Sequence, residues 1–256
     1  MTDLTTVGHW DKTWAGDIRL RLPSPWVVST RNLQRLLRRH VRPGDRFLEI
    51  GCAPGKLLAW VAADLRAEVA GLDVSERGLT TASRLFDALH LKADLRREDL
   101  RQTTFQDSAF DVVLSVGLIE HFSDPRDVVR KHLELARPGG TVLMTVPNYR
   151  GIYGRLKEHF EPESLLQHNL DIMTCEALVG LVDKNDASAV TAYHAGRLSP
   201  WQTSWKKRWP APVATSVSLV ANTVALLQPV DVAALCPMLV LEVRRRRTEA
   251  GASQVN

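Results

Sequence analysis

Cysteine is scarce. Cys52, Cys175 and Cys236 are the only three in 256 residues, and no two have the spacing of a zinc-ligand pair. An odd, scattered set argues against a disulfide framework, so the chain reads as intracellular and no metal centre is expected. The first residues lack an apolar core: Asp3, His9, Asp11 and Lys12 fall where a secretory signal is hydrophobic. A signal peptide is therefore not expected, and a cytoplasmic location follows. No run has the character of a membrane span. The stretch from Ala211 to Gln228 lacks charge, yet it carries Thr215, Ser216, Ser218, Asn222 and Thr223, and Pro229 follows. It reads as a buried or interface helix. A charge excess of one sign is also small, with 33 Lys and Arg against 29 Asp and Glu, a net +4. The excess is local, at Arg31, Arg35, Arg38, Arg39, Arg42 and Arg46, and again at Arg244 to Arg247. Such stripes can bind nucleic acid or an anionic surface, but a solvated helix face and a basic tail is the plainer reading. Internal repeats and low-complexity segments are absent.

What is present is an alternation of short apolar runs and helical spacings between residues 29 and 146. Ser29 or Thr30 is placed to cap a helix with Leu33, Leu36, Leu37 and Val41 on one face. Arg46 to Ile50 reads as a buried strand. Lys56 to Arg66 returns to helical spacing, and Glu68 to Val74 is a second strand. Ser75 caps the next helix. A weak strand is placed at His90 to Ala93, followed by a loop from Asp94 to Ser108. Phe110 to Val116 is a strongly apolar strand. Asp124-Pro125 opens a helix through Ala136, and Thr141 to Val146 is a fifth strand. Asn148 to Asn169 looks like a loop-rich insertion. Thr174 caps a helix through Asp183, and Ala189 to His194 and Met238 to Val243 are the last two strands. Strand and helix alternating at this spacing means a parallel sheet with helices on both faces.

A doubly wound sheet binds ligands at the carboxyl ends of its strands. After the first strand comes Glu49-Ile50-Gly51-Cys52-Ala53-Pro54-Gly55, whose glycines allow a sharp turn and close backbone approach. The helix that follows offers free N–H groups. Alone, this is also what an ordinary strand-to-helix turn looks like. The second strand ends in Gly71-Leu72-Asp73-Val74, and an acid there accepts hydrogen bonds from both ribose hydroxyls of a nucleoside. A nicotinamide cofactor remains open on these residues alone.

Four blocks carry a resemblance. Phe47 to Gly55 is similar to the first motif of the class I S-adenosylmethionine-dependent methyltransferases, with Ala53 where many members have glycine. Glu98-Asp99-Leu100 resembles their block after the third strand. Phe110 to Val113, with Glu120-His121-Phe122, resembles the fourth-strand block. Leu135 to Gly140, with Thr145 to Asn148, resembles the fifth. The order spans about residues 45 to 150, and the resemblance is in particular to the broad small-molecule branch related to the ubiquinone-biosynthesis enzymes. The resemblance implies that Glu49 and Gly51 lie against the methionine part of the cofactor, with Cys52, Ala53 and Gly55 completing the loop. It implies that Asp73, with Val74 beside it, holds the ribose, that Asp99 accepts from the adenine amino group (Asp94 is its rival), and that Leu100 donates a backbone N–H. Gly117 would line the pocket near the sulfonium.

Methyl transfer asks for a nucleophile in line with the methyl carbon and a group to take its proton. His121 is the best-placed base, with a structural histidine as the plainer alternative. Asn148 and Tyr149 are further catalytic candidates. Trp10, Trp14, Tyr153, His159, His168 and Asn169 are candidate substrate contacts, packing being the alternative for each. Pro147-Asn148-Tyr149 follows the wrong strand for the nucleic-acid amino-methyltransferase signature. Cys236-Pro237 reverses the Pro-Cys of cytosine C5 enzymes. Trp201, Trp205 and Trp209 repeat every fourth residue among Lys206, Lys207 and Arg208, as a pocket wall, a lipid or partner contact, or plain packing.

The expected fold is α/β: a Rossmann-like, doubly wound, seven-stranded sheet, mostly parallel with one antiparallel strand near the C-terminus and a helical or loop insertion over the active site. One domain is expected, with N-terminal cap helices over 1–45, a cofactor core over 46–147, substrate-side insertions over 148–237 and the last strand and tail over 238–256. The expected activity is methylation of O, N or C on a small molecule, such as one of secondary metabolism, with S-adenosyl-L-methionine giving S-adenosyl-L-homocysteine. The alternative is a lyase or cyclase on the same fold that releases methylthioadenosine, with RNA methylation behind it. No specific nucleic acid and no transmembrane segment are expected. The spacing of Val213, Val217, Val220, Val224 and Leu227 suits a helix buried on most sides, or a homodimer contact through Val213 to Gln228.

Overall fold

The computed structural model describes residues 3–200, 205, 208–228 and 232–247; Trp201, Lys206 and Lys207 lie outside the described residues. The apolar runs become strands β1 (Arg46–Ile50), β2 (Glu68–Asp73), β3 (Asp94–Arg97), β4 (Phe110–Val116), β5 (Ala136–Pro147), β6 (Ala187–Ala195) and β7 (Met238–Arg245). Before and between them lie helices α1 (Val7–Thr13), α2 (Val28–His40), α3 (Lys56–Trp60), α4 (Glu76–Ala88), α5 (Arg126–Leu135), α6 (Ile152–Phe160), α7 (Pro162–Leu165), α8 (Cys175–Val179) and α9 (Ala211–Leu227). The sheet order is β3-β2-β1-β4-β5-β7-β6. β1 to β5 run parallel, and β7 is antiparallel to both of its neighbours. This is the expected doubly wound sheet with its single reversed strand.

Both faces of the central strands are buried, which is why they read as unbroken apolar runs rather than alternating ones. Phe47, Leu48, Val113, Leu114, Val142 and Leu143 are fully buried. One face packs on α2, α3 and α4, the other on α5 and α8. Each such side chain stabilises the fold by roughly 1.5–3 kcal/mol. The strand order reverses between the parallel neighbours β1 and β4, which pair through Leu48↔Val113 and Ile50↔Ser115. Their carboxyl ends therefore open the crevice in which this architecture binds ligands.

Local signals succeeded where the cap is in the sequence. Ser75 accepts from the Gly78 N–H at the start of α4 (3.0 Å), and Thr174 does the same for Ala177 at α8 (3.1 Å). Elsewhere the structure corrects the reading. The third strand begins at Asp94, because His90 to Ala93 end α4: His90 turns to φ +53° and Leu91 donates back to the Phe86 carbonyl. The stretch after Asn148, expected as a helical or loop-rich insertion, holds two helices, α6 and α7. Gly154 makes α6 feasible, since a Cβ there would sit 1.8 Å from the Tyr149 carbonyl oxygen. Neither Ser29 nor Thr30 caps α2. Its first N–H, on Val28, is accepted by Asn222 Oδ1 of α9 at 2.9 Å.

Helix α9 is not buried on most sides. Ala214, Ser218, Asn222 and Ala225 form its inner face, while Val213, Val217, Val220, Val224 and Leu227 face solvent. The two described tryptophans of the stripe pack. Trp205 and Trp209 stack at 5.6 Å, and Trp205 Nε1 donates to Ser218 Oγ. The arginines of the basic end are structural too. Arg244, Arg245 and Arg246 donate to main-chain carbonyls including those of Gly139, Glu134 and Asn185.

Candidate active site

The crevice is built from backbone on one side. Gly51 follows β1 at φ +74°, and its N–H donates to the Leu72 carbonyl at the end of β2. Gly55 opens α3 at φ +83°, where a Cβ would lie 2.6 Å from that of Ala82. Only glycine lets this turn close onto α4. Cys52 and Ala53 are buried inside the turn. Asp73, at the end of β2, accepts from the N–H groups of Ala53 (3.0 Å) and Ser75 (2.8 Å). These bonds aim the carboxylate, and burial raises its pKa above the usual range. Glu49 lies beneath the loop with Oε2 unpaired. Burial, and then the charge of Asp73, pushes it up to about 8. A backbone hydrogen bond from Leu58 does not offset this burial, and an acid so sparsely paired is costly to ionise, so a cation placed beside Glu49 would be held strongly.

Asp99 follows β3 on the ligand side of the sheet. Its rival Asp94 begins β3, level with Ala70, and pairs with Arg96. Arg101 grips Asp99 (2.5 Å) and Asp3 (2.9 Å) together. Hydrogen bonding to Arg101 holds the Asp99 carboxyl below its ordinary range. Leu100 is buried behind it. The N-terminal segment continues this crossing: Leu4 donates to the His121 carbonyl, and Asp11 accepts from Ser75 Oγ beside Val74 (2.7 Å). Trp14 lies over Gly78 at the start of α4. Residues 3–14 thus strap the ends of β2, β3 and β4, with no buried side chain in α1.

Past Gly117 (φ +65°) lies a cavity of about 240 Å³. Its polar lining includes Asn32, Glu120, Tyr149, His168 and Ser199, and Leu33 and Met238 are among its apolar walls. Glu120 is fully buried, with Oε2 unpaired, and burial pushes it up to about 8. His168 bonds the Ser164 carbonyl through Nδ1 (2.6 Å), and His121 bonds that of Gln167 (2.8 Å). Both rings therefore keep Nε2 free to accept. Burial lowers His121 to about 4 and lowers His168 as well, so both are neutral at neutral pH. The ligand-type atoms of Glu120, His121 and His168 lie within 4.8 Å of one another, close enough to hold a cation. These three residues come from two separate segments, and sequence spacing does not reveal them.

The other expected residues separate clearly. Tyr149 and His168 line the cavity, their rings 5.2 Å apart. His121 sits behind them, edge-on to Trp10 at 5.0 Å. Asn148 spends its amide on the Cys236 carbonyl (3.0 Å). Tyr153 is fully buried; its hydroxyl donates to the Leu235 carbonyl and accepts from the Ser199 N–H. Asn169 bonds the Phe122 and Ser123 carbonyls. His159 lies exposed against Phe160, away from the cavity lining. Sequence reasoning missed Glu120 as a site residue, though the Glu120-His121 pair stood in a recognised block. It also missed the α2 wall (Ser29, Asn32, Leu33), for which the sequence carries no signal.

Comparison with known proteins agrees with this geometry. Residues 48–144 match the methyltransferase domain family. The ubiquinone biosynthesis O-methyltransferase of Neisseria meningitidis is 36% identical over 108 residues, 41% of this chain and 45% of that protein. That of Maricaulis maris is 37% identical over 106 residues, 41% of each. The chain thus spans less than half the length of these curated relatives. In structure it is similar to Haemonchus contortus phosphoethanolamine N-methyltransferase 2, solved with S-adenosyl-L-methionine, at a TM-score of 0.60, 18% identity, and 85% and 52% coverage of this chain and that one. The [4+2]-cyclase SpnF gives 0.58 at 19% identity, with 86% and 82% coverage. At such identities the likeness shows a shared fold. Matched segment, strand order and glycine turn together make residues 48–144 a methyltransferase domain of the class I, S-adenosylmethionine-dependent family.

Proposed function

We propose that the protein transfers a methyl group from S-adenosyl-L-methionine to a small molecule held in the cavity past Gly117. The observation that carries this reading is that cavity itself, which adjoins the crevice between β1 and β4. At ~30 Å³ per water it has room for roughly eight waters, enough for a small second substrate. A reaction of the cofactor with itself needs no such space, so methyl transfer is favoured over ring closure. Asp73 would hold the ribose, Glu49 would face the cationic methionine end, and Asp99 and Leu100 would meet the adenine once Arg101 shares its carboxylate. Glu120, Tyr149 and His168 would touch the acceptor and take its proton, with His121 behind His168 fixing that ring. Asn148 and Tyr153 would build the wall, and Trp10 and Trp14 would cover the cofactor.

Among the described residues no helix is long and apolar enough to cross a membrane. We place the enzyme in the cytoplasm, as a homodimer through the outer face of α9. The reaction is tested by incubating the protein with S-adenosyl-L-methionine and a panel of small phenols, amines and carboxylic acids, and following products by mass spectrometry. S-adenosyl-L-homocysteine formed only with an acceptor is the expected result. Methylthioadenosine formed without one would overturn the reading.

A further inference from the structure

Helix α9 is fixed to the body by its small and polar side. Asn222 accepts from the Val28 N–H and donates to the Trp26 carbonyl (2.7 Å), so it staples α9 to the first turn of α2. Arg197 donates to the Leu226 carbonyl and its own N–H donates to Asn32 Oδ1. The same α2 supplies Ser29, Asn32 and Leu33 to the cavity wall. On the opposite side Val213, Val217, Val220, Val224 and Leu227 are 36–78% exposed, and Leu219 beside them is 64% exposed. Four–three spacing puts these five on one narrow seam, the pattern by which helices pair. The β-branched valines keep stiff χ1 angles and present a fixed surface. No residue of α9 is charged, whereas a helix that lies on lipid carries Lys or Arg along its polar face. Six such side chains offer on the order of 600 Å², close to the ~800 Å² per partner of a standard interface.

We propose that a second copy of this chain docks on α9, seam against seam about a two-fold axis, and that this pairing braces the α2 wall of the acceptor cavity. The pairing stands by itself; the bracing role rests on reading that cavity as the acceptor site. Sedimentation of the wild type should give twice the mass of one chain, and Val220→Lys with Val224→Lys should give one chain. Both positions are exposed, so the folded monomer survives the change. Hydrogen exchange in that monomer should rise about tenfold at residues 28–33 relative to wild type, with β1 to β4 unchanged. Binding of S-adenosyl-L-homocysteine should be unaffected. A wild type that sediments as a single chain overturns the pairing, and its co-sedimentation with phosphatidylglycerol vesicles would assign the seam to lipid instead. Unchanged exchange at 28–33 in the monomer overturns the bracing. Failure of the wild type to bind S-adenosyl-L-homocysteine would strike the methyltransferase reading and leave the pairing result intact.

Discussion

The two halves of the site are made by different means. On the cofactor side, turns and backbone groups contiguous in sequence do the shaping: Gly51, Gly55 and the N–H groups that aim Asp73 all lie within 25 residues of β1. On the proposed acceptor side, the cavity takes side chains from α2, the turn after β4, the end of β5, the segment after α7, Ser199 and the start of β7. A site built from one turn can be shared by many enzymes, because the turn folds the same way wherever it is placed. A site assembled from six segments can vary piece by piece. Substrate identity is expected to reside there.

The largest test of this contrast is Glu49. Its folded-state pKa, about 8, stands above the ordinary 4.5. Its contribution to stability is therefore complete below pH 4.5 and is lost as the pH rises to about 8. In cofactor-free protein, Glu49→Gln should gain on wild type by on the order of 4 kcal/mol between those limits, at 1.36 kcal/mol per unit. Urea melts at pH 4.5 and pH 9 measure this; equal pH dependence in both proteins would show that Glu49 is not isolated as described. Asp73→Ala comes next. Losing two charge-assisted hydrogen bonds at ~1.5 kcal/mol each should weaken S-adenosyl-L-homocysteine binding about a hundredfold. His168→Ala should leave that affinity within about twofold, since the ring lines only the acceptor side. Calorimetric titration of both variants separates the halves, and equal losses would merge them.

Smaller effects probe the joints between the halves. Asn222→Ala removes a helix cap given across 194 residues of chain, and should cost roughly 1–2 kcal/mol in a denaturant melt. A cost no larger than that of an exposed substitution would deny α2 its dependence on α9. Smallest is the strap. Asp3→Ala breaks one arm of the Arg101 clasp, whose partners are both about 35% exposed in their side chains, so the loss should stay below ~1 kcal/mol. Stopped-flow release of S-adenosyl-L-homocysteine should quicken about threefold. An unchanged rate would detach the strap from cofactor exchange.

The sequence determined by itself the doubly wound sheet, the glycine turn, Asp73 at the end of β2, and the caps at Ser75 and Thr174. Each rests on neighbours in the chain or on a run of apolar residues long enough to need burial on both faces. That Asn222, rather than Ser29 or Thr30, caps α2, and that His90 closes α4 instead of opening β3, followed from contacts made on folding. The tertiary structure alone turned the small face of α9 inward and its valines outward. Both faces of that helix follow helical spacing, so periodicity could not choose between them; the polar anchor at Asn222 chose. It also gathered Glu120, Tyr149 and His168 around one cavity and spent Asn148 and Tyr153 on carbonyls of the segment before β7. A polar side chain in a loop meets its partner only when distant segments close on it, and no spacing along the chain records that meeting.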